Sequence, residues 1–283
     1  MPPRSAPSER QKRLGAELRR IRQAAGETTE FAARLLGVDR TKIANVETGV
    51  RTITPERLRT LAAHYGCRDE RYVEALAAMG KPSAQGWWEM YRARVPAGLL
   101  DIAEMEWHAV SVRCGTFLHM PGLLQTDSYI RAVSTAFRPP LPEHEIELRI
   151  ALRLQRQQIL HRADPIAYTA FIHEAALHIE FGPTKVVRTQ LRHLCEMSEL
   201  PNVDVRVVPF SCGALPGAGQ AMVYAEGVVS ELDTVQLDTA HGPDFLHLPA
   251  QLNLYGSQLD WMEKASYSTS ESQNFLLSLS TIR

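Results

Sequence analysis

The segment DRTKIANVE, residues 39–47, sets Arg40, Thr41, Lys42 and Asn45 among a few apolar positions. Wound into a helix, it turns Val38, Ile43 and Val46 to one side and leaves the four polar residues outward. Those four side chains are hydrogen-bond readers. Arginine spans the O6/N7 edge of guanine, asparagine the N6/N7 edge of adenine, and threonine offers thymine a hydroxyl and a methyl. Lys42 is suited to a phosphate oxygen. Any solvated helix face has a similar composition, so the segment acquires meaning only from its neighbours.

The neighbours read as five short helices. Residues 13–25 place Leu14, Leu18 and Ile21 at helical spacing and stop at Gly26. Residues 28–36 follow, with Thr28 as a cap, Ala33 small enough for a helix crossing, and Gly37 as the stop. Asp39 is positioned to cap 39–47, which closes at Gly49. Thr54-Pro55 opens 54–66 with a cap and a proline at the first helical position. A fifth helix covers 69–79. Helix, Gly-containing turn, helix at 28–47 is the arrangement whose second helix enters a major groove.

Charge agrees. Residues 1–66 hold thirteen Lys/Arg against seven Asp/Glu, a balance of +6 that leaves −7 on the remainder. A basic first quarter joined to an acidic body predicts a polyanion-binding module on a body with a different task. The 283-residue length predicts two domains. No apolar run is long enough for a membrane helix, and the N-terminal stretch lacks a secretory h-region. Cys67, Cys114, Cys195 and Cys212 are too dispersed for a metal or redox pair, so they read as reduced thiols of a cytoplasmic protein.

The organisation expected is a disordered arm at 1–12, an all-α helix-turn-helix bundle at 13–79, a linker at 80–86 (GKPSAQG), and an α+β domain at 87–283. In that last domain, helices are expected at 126–137, 142–162, 183–199, 249–264 and near the C-terminus. Strands are expected at 111–120, 166–173, 203–210, 220–227, 233–239 and 244–248, forming one mainly antiparallel or mixed sheet.

Residues 18–66, LRRIRQAAGETTEFAARLLGVDRTKIANVETGVRTITPERLRTLAAHYG, resemble the helix-turn-helix domain of the XRE (lambda-repressor-like) transcription regulators. The matching features are Leu18-Arg19 with Arg22, Gly26-x-Thr28, Ala33-x-x-x-Gly37, Ile43-x-x-Val46-Glu47-x-Gly49 and Leu61-Ala62. The resemblance implies base readout by Arg40, Thr41 and Asn45. It also implies phosphate contacts from Thr29, Lys42 and the turn around Gly49 and Arg51, and an internal Arg22–Glu47 pair. Two departures weaken DNA contact: Thr29 stands where the family commonly has Gln, and Asp39 where Ser or Thr is usual. WWEMY (87–91), VPAGLLDIAEMEWHAVSVR (95–113), MPGLLQTDSYIRAV (120–133), RLQRQQIL (153–160) and LPNVDVRVVPF (200–210) are similar to the large C-terminal domain of actinobacterial XRE regulators, a domain of unknown function. The resemblance implies a dimeric repressor of double-stranded DNA with an approximately palindromic operator. Its C-terminal domain would dimerise and respond to a small molecule or, alternatively, capture a small acidic partner protein as an antitoxin does.

Other constellations carry less. HEAALH (173–178) spaces His173 and His178 five apart, not the four that a zinc helix needs, and Glu174 reads as a helix-start acid. FSCGALPGAGQA (210–221) lacks both the GxSxG elbow and the GxGxxG loop and reads as a connection between strands. Trp87, Trp88 and Tyr91 read as an anchor to a core. His108, His119, His144, His161, His193, His241 and His247 show no ligand spacing. No catalytic constellation, metal or cofactor is expected.

Overall fold

Ser8 begins the first helix. Its hydroxyl accepts from the Gln11 amide while the Gln11 side chain returns to the Ser8 amide, a reciprocal cap that starts α1 (Glu9–Ala24). The sequence reading put residues 9–12 in a disordered arm; the cap makes them helical. The computed structural model describes residues 6–80, 86–216 and 219–282. The first five residues of the expected arm and 81–85 of the expected linker lie outside the described residues.

The chain divides into two compact units between Met90 and Tyr91. In the first, α1 is followed by α2 (Thr29–Leu36), α3 (Arg40–Glu47), α4 (Pro55–His64) and α5 (Glu70–Gly80). Thr28 caps α2 through the Phe31 amide and Thr54 caps α4 through the Arg57 amide, as expected. Asp39 precedes α3 without a side-chain cap bond, so its expected capping role is not realised. Leu14, Leu18, Ile21, Ala33, Ile43, Val46, Leu58 and Leu61 form the core. Val38 contributes only partly, being half-buried. Tyr72 on α5 donates to the buried Glu17 carboxylate on α1 at 2.6 Å, tying the last helix to the first.

A short 3-10 segment at Trp87–Tyr91 spans the division, and in the second unit α6 (Ala97–His108) leads into a mixed sheet. Its strands are β1 (Ser111–Thr116), β2 (Ala167–His173), β3 (Val203–Val208), β4 (Met222–Glu226), β5 (Thr234–Thr239) and β6 (Gly242–Leu246), in spatial order β3-β2-β1-β4-β5-β6 among the described residues. β1, β2 and β3 run parallel to one another; β4 joins β1 antiparallel, and β5 and β6 follow antiparallel. Successive residues of the central strands turn to opposite faces, and both faces are covered there. Val112, Cys114, Tyr168, Ala170, Val203 and Val205 face α10 (Thr184–Met197) and α12 (Thr269–Ile282). Phe171, Val208, Met222 and Val235 face α11 (Pro249–Ala265). Each expected strand is present; β1 is shorter than the expected 111–120. The expected helix 142–162 is α8 (Glu143–Arg156) followed by a 3-10 turn at Gln157–Leu160. α7 (Asp127–Thr135) and a short α9 (Glu174–His178) complete the unit. α6 has no counterpart in the sequence reading.

The segment from Met120 to Thr126 is held by side-chain amides. Gln125 donates to the Met120 carbonyl at 2.7 Å, and Gln157 donates to the Gln125 carbonyl at 2.7 Å. Gln190, fully buried on α10, donates to the Leu124 carbonyl at 2.6 Å and accepts from the Thr126 amide at 2.7 Å. Buried backbone without ladder partners is satisfied this way. Beneath it, Arg156 makes a buried bidentate pair with Glu106, at 2.7 and 2.6 Å.

Candidate nucleic-acid interface

α2 ends at Gly37, whose φ of 61° is left-handed. The Val38 amide then donates back to the Ala33 carbonyl at 2.9 Å and the Gly37 amide to Arg34 at 3.2 Å. This is the glycine-terminated helix end that releases the chain into a tight turn, and α3 starts two residues beyond Val38. Ile43 and Val46 are buried against the bundle. Arg40, Thr41, Ala44 and Thr48 are exposed, while Lys42 and Asn45 are half-buried at the margin of the same face. The side chains of Thr41, Lys42 and Asn45 have no hydrogen-bond partner among the described residues, so their donors and acceptors remain available to a ligand.

α3 is seated on α1 by two glycines. Gly15 lies so close to the C-terminal end of α3 that an added Cβ would stand 2.6 Å from the Val46 and Glu47 carbonyl oxygens. Gly49, just past α3, approaches the α1 backbone equally: a Cβ there would meet the Lys12 nitrogen at 2.7 Å. Between them, the Arg22 Nε donates to Glu47 at 2.6 Å and its Nη2 donates to the other carboxylate oxygen at 2.9 Å, with both side chains buried. Arg22 also donates to the Glu27 carbonyl at 2.7 Å, fixing the approach to α2. The pairing that resemblance implied is therefore present. α3 is rigidly positioned while its outer face stays open.

Thr29 and Arg40 converge on a residue absent from the sequence reading. The Thr29 hydroxyl donates to Glu30 at 3.2 Å, and an Arg40 Nη1 lies 3.0 Å from the other Glu30 oxygen. Both side chains of the pair are mostly exposed. The Glu30 carboxyl is held below its ordinary range, first by its own backbone amide at the start of α2 and then by Thr29 and Arg40. Gly49 is buried, and its amide already donates to the Val46 carbonyl at 3.0 Å. The Arg51 amide is likewise committed to the Asn45 carbonyl at 3.0 Å. The turn therefore offers the exposed Arg51 side chain, not its amides. Ala44 is the other residue missed: it sits four positions after Arg40 on the open face, where its methyl group faces outward.

Most of the remaining sequence candidates lie in the second unit. His173 accepts from the Ala175 amide as the cap of α9, which agrees with its place at a strand end. The rings of His173 and His178, expected to point apart, both rest on Phe210, at 5.4 and 6.0 Å. The chain bends between β2 and α9, so helical spacing alone misplaces them. Glu174 accepts from the Phe210 amide at 2.8 Å. Among the described residues no group of His, Cys, Asp or Glu is arranged to hold a metal ion, and no helix is long and apolar enough to cross a membrane. Trp88 and Tyr91 are buried, and Tyr91 donates to Gln155 at 3.0 Å.

Residues 13–76, the bundle just described, match a family model described as Helix-turn-helix domain. Residues 99–278, well over half of the chain, match Domain of unknown function (DUF5753). The chain belongs to the DUF5753 family. It thus joins a helix-turn-helix domain of DNA-binding regulators to a DUF5753 domain that supplies the mixed sheet. No curated protein and no solved structure matches it.

Proposed function

We propose that this protein is a sequence-specific DNA-binding transcription repressor of the XRE type. Arg40, Thr41 and Asn45 read base edges, and Thr29, Lys42 and Arg51 contact phosphates. Gly49 serves by bringing α3 onto α1. The observation that carries this reading is the seating of α3: its inner face is locked by Gly15, Gly49 and the Arg22–Glu47 pair, while Thr41, Lys42 and Asn45 are left unbonded. One helix contacts few base pairs, so the protein acts as a homodimer on an approximately palindromic operator, with half-sites roughly 34 Å apart.

The DUF5753 domain dimerises and answers to a small-molecule effector. A second reading, an antitoxin-like regulator that captures a small acidic protein, draws on the exposed apolar residues Leu248, Leu254 and Leu277. Selection of binding sites from genomic DNA tests the primary reading. An enriched palindrome supports it. Selection of no sequence, or of one that survives Arg40→Ala with Asn45→Ala, removes it. Co-purification of a small protein in stoichiometric amount would favour the second reading of the C-terminal domain.

A further inference from the structure

α8 carries Arg149, Arg153 and Arg156 at helical spacing on one side. The three are treated differently by their surroundings. Arg156 has a full carboxylate partner in Glu106, with two short bonds. Arg149 lies over the Phe137 ring at 5.4 Å, and its Nε is buried without a hydrogen-bond partner among the described residues. Arg153 donates to a neutral group, the Gln125 Oε1, at 2.8 Å. Among the described residues it has no carboxylate within ion-pair distance.

A buried cation without an anion costs free energy, and proteins ordinarily pair it. Arg156, one turn away, shows that this fold supplies a carboxylate where an arginine is purely architectural. Arg153 is not sealed off either. It keeps partial solvent exposure, and none of its unbonded nitrogens is among the buried orphans. Yet it is deep enough that burial, then the charge of Arg156, draws its pKa down to about 10. Arg153 is thus partly desolvated while its unbonded nitrogens still reach solvent.

The surroundings fit a small acid. The fields of Arg153 and Asp238 reach His119, and that of Arg153 reaches Tyr129. His119 stacks on Phe181 at 4.9 Å, and Phe181 meets Tyr129 edge-on at 5.7 Å. Two of these rings, His119 and Tyr129, thus lie within electrostatic range of the cation. Gln125, which holds Arg153, is itself anchored to the Met120 carbonyl and bound by Gln157, so the guanidinium is preorganised. Asp238 is exposed and is engaged by Gln236 at 2.9 Å; its charge acts on Arg153 through space without occupying it.

We propose that Arg153, held by Gln125, which is itself anchored beside His119 at the Met120 carbonyl, is the anion-binding centre of a small-molecule site in the DUF5753 domain, whose ligand carries a carboxylate or phosphate. The site gives chemical content to the effector reading above and rests on it only for its regulatory meaning.

The test is thermal unfolding of the full chain in millimolar inorganic phosphate or benzoate, against chloride at equal ionic strength. All measurements are repeated in a Lys42→Ala background, which removes a cation of the DNA-reading face. The expected result is a rise in the second unit's transition with at least one probe. That rise is lost in Arg153→Gln and partly kept in Arg153→Lys. His119→Ala, at an exposed position, loses the benzoate response and retains that to phosphate. Benzoate binding alone marks a carboxylate ligand, and phosphate binding alone a phosphorylated one. An equal response in wild type and Arg153→Gln overturns the proposal, as does the absence of a response to both probes in wild type. Should Arg153→Gln fail to fold, calorimetric titration of the Arg153→Lys chain decides: affinity unchanged from wild type overturns the site. If binding depends on Arg153 but DNA affinity does not change with ligand, the effector reading falls while the site stands.

Discussion

Glu30, on the first turn of α2, holds the Arg40 guanidinium at 3.0 Å and accepts from the Thr29 hydroxyl at 3.2 Å. One carboxylate thus occupies both the arginine proposed to read guanine and the threonine proposed to meet phosphate. It orients Arg40 across the open face of α3 and sets a negative charge beside it. Glu30→Gln removes the charge and keeps the shape. The expected result is a few-fold tighter binding to random-sequence DNA at low salt, a difference that shrinks as salt screens it. Equal affinities for both chains in a fluorescence titration would show that Glu30 does not oppose DNA.

Reader and anchor residues on α3 should separate in their consequences. Asn45→Ala removes a bidentate contact and is expected to cost about 1–3 kcal/mol on the selected operator, with relaxed preference at one base position. Lys42→Ala should weaken operator and random DNA alike and lower the magnitude of the slope of log K against log salt by about 1. Competition titrations over a salt series measure both. A uniform loss from Asn45→Ala would reassign it to a phosphate.

Gly15→Ala sets two effects against each other. Alanine is the better helix former by about 1 kcal/mol in a helix interior. Its Cβ, however, would meet the Val46 and Glu47 carbonyl oxygens at 2.6 Å, and these are backbone atoms that cannot turn aside. Overpacking of this kind costs about 1–3 kcal/mol, so a net loss of stability and displacement of α3 are expected. Urea denaturation should show the loss, and operator affinity should drop although Gly15 lies on α1 against the inner side of α3. A stabilised variant would mean that α1 and α3 separate easily.

The bundle was legible in the sequence because its signals are local. Thr28, Gly37 and Thr54-Pro55 each mark a boundary by their own chemistry, and the strands announce themselves through β-branched runs. What was not legible depends on distance in the chain. α6 is buried or half-buried at every position from Gly98 to Trp107. Apolar residues therefore fall all round it, no stripe emerges, and Pro96 with Gly98 reads as a loop. Its Glu106 looks like a surface charge until Arg156 arrives fifty residues later. Gly15 reads as a tolerated helix interior, and only the crossing with α3 gives it a reason. Glu30 goes unmarked in the sequence because its partner Arg40 depends on the angle between two helices.

Arg22→Met should be among the most damaging single changes in the first unit. It leaves the Glu47 carboxylate buried without its two guanidinium bonds. Breaking one side of such a pair costs about 3–5 kcal/mol, whereas replacing both sides with apolar groups is often near neutral. The double variant Arg22→Met with Glu47→Leu is therefore expected to recover much of the loss in chemical denaturation. If the double variant is as unstable as the single one, the damage comes from the Arg22–Glu27 carbonyl bond rather than from the stranded carboxylate.

The second unit should be sensitive to alkali. Burial pushes the Cys114 thiol up to about 12 from an ordinary 9.0, and the Tyr129 hydroxyl up to about 12 from 10.0. Tyr168, 3.1 Å from the Cys114 sulfur, is raised as well. In each case the folded chain keeps a proton that the unfolded chain releases. Stability is therefore independent of these groups below the unfolded values, and it falls as pH climbs from 9.0 toward about 12. The slope approaches about 1.4 kcal/mol per pH unit for each group ionised only when unfolded. Denaturation midpoints across that window should fall, and Cys114→Ala should lessen the onset near 9.0, where the Cys114 and Cys195 thiols contribute before the tyrosines. In the native state the buried Cys114 should resist alkylation for as long as the unit stays folded. Prompt labelling of Cys114 at neutral pH, or a midpoint indifferent to alkali, would show that water reaches this part of the core.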